Sequence, residues 1–358
     1  MDVGTSLHLA VALDGAPGGE PPPDEPAPPA VWADRAAEAE RGLLDLLTLD
    51  DAHAPPPGGG ARPEAVQLAA ALGALTRRIG IVPTVTPTHS EPFHLSTAVA
   101  TLDFVTTGRA GCLVRAGLDR AEDGTSGRTA GTAEERLAET AEAVEVIRAL
   151  WDSWDDDAEI RDTARGLFLD RARIRPVAHR GPRFSVRGPS VTPRPPQGQP
   201  PVLAAVRDEG TRRLAVRGAD LALLAAADPD DARAQAALLR AAEAAAGRPG
   251  PPLLIFADLP VALDGDPRRA AARRPDGPGA FAGTPEALAA ALPHWQAAGL
   301  DGVRLLPASV DRDLPAVTRG VVPALQDRGA FRRRYEAGTL RGRLGLPRPA
   351  ARPADPTR

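Results

Sequence analysis

The sequence predicts a (β/α)8 TIM barrel, an α/β fold in which eight parallel strands alternate with eight helices. Three observations predict it. Short apolar runs of strand length alternate with longer segments of helical period along all 358 residues. The apolar runs lack a clean polar alternation, so both faces of each strand are buried, as in a parallel sheet covered by helices. Eight such pairs on a chain of this length suit a closed barrel better than an open doubly wound sheet.

The elements follow in order. LHLAVAL (7–13) is a first strand, and a Pro/Gly-rich loop leads to the helical period of AVWADRAAEAERG (30–42). LLDLLTLDD (43–51) is a second short buried run. PEAVQLAAALGALTRR (63–78) then opens with proline at a helix start and spaces its apolar residues by three and four. IGIVPTVT (79–86) and AGCLVRA (110–116) are the third and fourth strands, each followed by an amphipathic segment. PVLAAVR (201–207), DLALLAA (220–226), PLLIFADLPVAL (252–263) and GVRLLPA (302–308) complete the set, again with a helix after each. Residues 155–200, between the fourth helix and the fifth strand, form an insertion on a single domain spanning 1–346. Residues 347–358, rich in proline and arginine, read as a disordered tail.

Composition narrows the function. One cysteine, Cys112, excludes an intrachain disulfide framework and any zinc site built from several thiolates, and its apolar surroundings predict a buried, structural thiol. A net charge of -4 argues against a general nucleic-acid binder. All 43 basic residues are arginine, with no lysine or asparagine, so arginine abundance is weak evidence for anion binding. No run of 18 apolar residues and no signal peptide is visible, which predicts a cytoplasmic protein without a membrane partner.

The stretch IRALWDSWDDDAEIRD (147–162) places Trp151 and Trp154 on one helical face with Val144, Ile147 and Leu150, so both are expected in the core. The carboxylates behind them follow no calcium-loop pattern, and the six histidines nowhere show a ligand spacing; no metal is predicted.

LWDSWDDDA, the run DRARIRPVAHRGPRFSVRGPSVTPRPPQGQPPVL, EPFHLSTAVATLDFVTTGRAG (91–111) and the C-terminal GTPEALAAALPHWQAAGLDGVRLLP together resemble the bacterial luciferase-like flavin monooxygenases. The similarity is to the branch that includes nitrilotriacetate and dibenzothiophene-sulfone monooxygenases. It implies an enzyme that takes reduced FMN from a separate NAD(P)H-dependent flavin reductase and uses O2 to oxygenate a small organic substrate, commonly as a homodimer. The site then lies at the C-terminal mouth of the barrel, kept dry, with the 155–200 insertion placed as part of a lid.

By this resemblance Asp51, at the end of the second strand, lies near the flavin, with a helix or loop cap as its plain alternative. Thr84 and Thr86 line the isoalloxazine ring. His89 donates to oxygen or holds substrate, His53 is a further mouth-loop candidate, and His94 falls inside a helix where packing explains it. Two positions depart from the family pattern. The fourth strand ends in Arg115 where a polar flavin contact is usual, and Arg207 and Asp208 replace the serines that meet the FMN phosphate at a helix N-terminus. Arg207 is then a substitute phosphate clamp, or the flavin is held differently, or the site has lost flavin. The alternatives are therefore a degenerate, non-catalytic barrel that binds a ligand or partner, and a deazaflavin-dependent oxidoreductase.

Overall fold

In the computed structural model, residues 7–20, 27–54, 62–119, 122 and 131–351 are described. Eight strands close into a parallel barrel: β1 (His8–Ala12), β2 (Leu46–Leu49), β3 (Gly80–Val85), β4 (Cys112–Val114), β5 (Val202–Val206), β6 (Leu221–Leu224), β7 (Leu254–Leu263) and β8 (Gly302–Pro307). Each pairs with its sequence neighbour, and β8 returns to β1 with His8 opposite Gly302, so no barrel edge is left open. The helices between them are α1 (Pro29–Arg41), α2 (Ala65–Leu75), α3 (Pro92–Val105), α4 (Ala133–Trp151), α5 (Glu209–Gly218), α6 (Pro229–Ala246) and α7 (Pro285–Ala297). The last, α8, runs Val310–Ala316, opens into a π-turn at Val317–Val321 and continues as Val322–Asp327. Proline at 315 and 323 removes the backbone N–H groups that would keep this helix regular.

Side chains alternate across the wall. Leu9, Val11, Leu47, Ile81, Cys112, Ala204, Leu224, Ala257 and Val303 face outward into the layer shared with the helices. Ala10, Leu46, Val82, Leu113, Leu203, Leu221 and Phe256 face inward and make a second cluster that includes Leu340, Leu344 and Leu346. The short helix Leu340–Arg343 therefore plugs the floor of the barrel, and each leucine buried there stabilises the fold by about 1.5–3 kcal/mol. The same parity carries Asp14, Thr48, Asp50, Thr84, Thr86, Arg115, Arg207, Asp258 and Arg304 to the inside, nearer the mouth.

The insertion forms two antiparallel ribbons, Glu159–Asp162 with Leu167–Leu169 and Ala178–Arg180 with Ser185–Arg187. Only part of it lies where a lid would be expected. A segment that follows a helix and precedes a strand returns at the N-terminal face of the barrel, opposite the mouth. There Gln197 donates to Asp103 at 2.6 Å and to the Ala110 carbonyl at 2.8 Å, and accepts from Arg341 N–H in the floor plug. Only the 178–187 ribbon climbs away from the floor along the outside of α4, where His179 meets Glu142 at 2.6 Å and Arg183 meets Glu135 at 2.8 Å.

Trp151 and Trp154 are buried, and their indole N–H groups donate to the carbonyls of Ser96 and Ser190. The carboxylates behind them are spent on arginine: Asp155 on Arg175, Asp156 on Arg194 and Arg348, Asp157 on Arg173. Arg348 also donates to Pro196, and Pro349 accepts from Arg194. The tail expected to be disordered from 347 is thus pinned as far as Pro349, and residues 352–358 lie outside the described residues.

Candidate active site at the barrel mouth

The inward-facing residues at the C-terminal strand ends form a charged layer. Arg304 on β8 donates through Nε to Asp258 Oδ1 at 2.7 Å and through Nη2 to Oδ2 at 2.8 Å, and its Nη1 reaches Thr48 Oγ1 at 3.3 Å. Burial works against the charged form of Asp258, but Arg304 and then Arg207 outweigh it and hold the carboxyl below the usual range. Asp14, just past β1, accepts from the Asp50 N–H at 2.5 Å, and Asp50 in turn holds Arg62 at 2.9 Å. Burial within the barrel wall, reinforced by the adjacent Asp50 carboxylate, pushes Asp14 up to about 7. Its surface faces the open mouth.

The residues singled out from the sequence divide into those brought together and those turned elsewhere. Thr84 and Thr86 are buried inside the wall of β3 and just beyond it. Thr84 Oγ1 lies 3.5 Å from Asp50 Oδ1, and Thr86 Oγ1 has no hydrogen-bond partner among the described residues. Arg115 ends β4 facing inward, pairs with Glu122, and keeps a buried Nε without a partner among the described residues. Two donor-bearing groups at adjacent strand ends thus lack acceptors, which is what a site shaped for a polar ligand shows.

Asp51 does not face the mouth. It is one residue out of phase with the inward series Leu46, Thr48, Asp50, and its carboxylate accepts from the N–H of Ala52 at 2.8 Å and of Ala65, the first residue of α2, at 3.0 Å. It braces the start of α2, whose N-cap is Glu64, and Asp50 and Asp14 are the carboxylates that parity delivers to the mouth.

Arg207 faces inward, and its two terminal nitrogens are already engaged within the chain. Its Nη2 donates to Asp258 Oδ2 at 2.7 Å and its Nη1 to the carbonyls of Leu223 and Val206. Asp208 turns away and caps α5, accepting from Thr211 N–H at 2.8 Å, and this backbone donor holds its carboxyl below the usual range. Gly210, in the first turn of the same helix, packs against Leu137, leaving only 2.8 Å from that methyl to where a Cβ would stand. The α5 N-terminus is therefore occupied by the chain's own groups.

At the rim, His89 stacks on His53 with ring centroids 4.7 Å apart. Thr88 Oγ1 donates to the Ala116 carbonyl at 3.2 Å and lies 3.1 Å from His89 Nδ1. A hydroxyl has one hydrogen, so both contacts are satisfied only when Nδ1 carries the proton and donates, leaving Nε2 as an acceptor. Burial, then His53, lowers the His89 pKa and favours that neutral form. Gly117 (φ +55) is required here, because a Cβ would stand 2.3 Å from the His89 ring. His94 is exposed on α3 and takes no part, and burial pushes the Cys112 thiol up to about 12, as befits a structural cysteine.

Residues 7–294 match the family model for luciferase-like monooxygenases. Nitrilotriacetate monooxygenase component A from Aminobacter aminovorans is 29% identical, over 91% of this chain and 92% of its own length. One of the subunits of pristinamycin IIA synthase from Streptomyces pristinaespiralis is 37% identical over 70% of this chain and 83% of its own. Among solved structures, a riboflavin lyase with modified FMN and riboflavin superposes with a TM-score of 0.85 at 22% identity, covering 97% of both chains. Barrel, strand-end site and sequence match agree: this chain belongs to the luciferase-like monooxygenase family.

Proposed function

We propose that the chain is the oxygenase component of a two-component system, taking reduced FMN from a separate NAD(P)H:flavin reductase and using O2 to oxygenate a small organic substrate. The observation that carries this beyond family membership is the pair of buried, unpartnered polar groups, Thr86 Oγ1 and Arg115 Nε, at neighbouring strand ends inside the mouth. They suit the polar edge of a flavin, whose bound reduced form supplies the electrons that activate oxygen. Thr84 and Thr86 would hold the ring, and Arg115 would meet an acceptor on it or on its side chain. Beneath this polar layer Val82 and Leu113 form an apolar bed, the kind of surface that would keep water from a buried reacting face. His89 Nε2 is the proton acceptor at the rim, and Asp14, poised near neutrality, is a group able to give or take a proton inside the mouth.

The phosphate end is the poor fit. Arg207 is committed to Asp258 and Asp208 places a carboxylate at α5, so no phosphate contact is assigned to either. This same observation supports a second reading, a barrel that has given up flavin and serves as the partner of a related oxygenase chain. The pristinamycin IIA synthase relative, at 37% identity, is itself named as one subunit of a larger enzyme. A homodimer would use the apolar surface of Leu75 on α2 with Phe104 and Val105 on α3, all exposed. A cytoplasmic location belongs to the same reading; no helix among the described residues is long and apolar enough to cross a membrane.

Anaerobic titration with reduced FMN, then mixing with O2, separates the two. Micromolar binding with slowed flavin reoxidation supports the oxygenase. No binding of reduced FMN, together with co-purification of a related barrel chain, supports the non-catalytic partner.

A further inference from the structure

We propose that His53, His89 and Glu122 form a binding site for a divalent first-row transition ion at the rim of the barrel mouth. Each residue comes from a different loop, after β2, β3 and β4 respectively, and one ligand atom from each lies within 4.8 Å of the others. No spacing in the sequence reveals them, because the closure of three neighbouring strands brings them together.

Two features go beyond proximity. Thr88 fixes the His89 tautomer so that Nε2 presents its lone pair, the kind of outer hydrogen bond that orients a metal-ligating imidazole. Glu122 is buried, and Arg115 holds its Oε1, which fixes the carboxylate beside the two imidazoles. Two imidazole nitrogens and one carboxylate oxygen select Zn2+, Co2+ or Fe2+ over Mg2+ and Ca2+, which want oxygen shells. Three protein ligands leave coordination positions open toward the mouth, where water or a substrate oxygen would complete the shell.

The geometry also sets the strength. Metal–ligand bonds of about 2.1 Å put tetrahedral ligand atoms about 3.4 Å apart, so the exposed His53 closes inward on binding. The Arg115 cation opposes a dication, which holds the affinity to the order of micromolar. The site shares His89 and Arg115 with the flavin reading, and a bound ion would take the Nε2 lone pair that accepts a proton there; its test contains no flavin, so the two fail separately.

The experiment is titration of chelator-stripped protein with Co2+, followed by visible absorption, and with Zn2+ by equilibrium dialysis. One equivalent should bind, with at least a tenfold loss in His89→Ala and in Glu122→Gln and no change in His94→Ala. Arg115→Gln should tighten binding, an effect that a purely structural role for Arg115 does not produce. Zn2+ should also raise the melting temperature of the native chain but not of His89→Ala, and thermal melts of each variant establish that it is folded. Absence of one-equivalent binding by the native chain, or binding that survives His89→Ala unchanged in folded protein, overturns the proposal.

Discussion

Arg207 and Asp258 are joined across the inside of the barrel at 2.7 Å, on an aspartate whose other oxygen is already held by Arg304. The carboxylate therefore serves two guanidiniums, one of them the arginine that the sequence offers as a phosphate clamp, whose side chain is still 44% exposed. Asp258→Asn leaves a buried guanidinium facing a neutral amide and should cost about 3–5 kcal/mol in urea unfolding at neutral pH. Because the folded carboxyl is held low, its contribution is full above the ordinary carboxylate range, near pH 4, and fades as pH falls through the folded value. The gap between native and variant should close in acid; a gap independent of pH would remove the ion-pair explanation.

Asp14 has the opposite sign. Its folded pKa is raised to about 7, so the fold favours the protonated form; that contribution is complete below about pH 4 and lost as pH rises through 7. Asp14→Asn removes the titration. Melting temperatures of the variant should gain on the native protein between pH 5 and pH 8, and parallel curves across that range would show that Asp14 titrates normally.

Thr86→Val replaces a buried hydroxyl that has no partner among the described residues by an isosteric methyl. Such a group costs about 1–3 kcal/mol when unpaired, so the variant should be as stable as the native chain or more so. Flavin affinity should fall about tenfold if the hydroxyl meets the ring. Unchanged affinity in isothermal titration would take Thr86 out of the site.

Asp208→Ser keeps an N-cap acceptor for Thr211 while removing a negative charge from the start of α5. Stability should change by less than about 0.5 kcal/mol. If the flavin phosphate approaches α5, FMN should bind more tightly to the variant while riboflavin does not; equal changes for both ligands would place the phosphate elsewhere.

The eight βα units are legible in the sequence because parallel strands buried on both faces leave uninterrupted apolar runs, and helices leave a different period. Cys112 and the two tryptophans are legible for the same reason. What lies at the mouth is read less well. The strand-end parity that separates Asp50 from Asp51 can be taken from Leu46 and Thr48, yet a two-aspartate ending hides which one faces inward. The Arg207–Asp258 pair spans 51 residues and two strands, and the His53, His89 and Glu122 cluster spans three loops, so neither leaves a local pattern. The floor position of the insertion follows from topology alone: what comes after a barrel helix emerges at the face opposite the site.

The plug formed by Leu340, Leu344 and Leu346 has a consequence for how the protein is made. A ribosome makes these residues only after all eight staves of the barrel, the last of which ends at Pro307. Between the last stave and the plug, the inward leucines of β2, β5 and β6 have no cover beneath them, so a chain at that stage carries an apolar opening. A chain that stops just short of Leu340 would therefore expose aliphatic surface of the kind chaperones recognise.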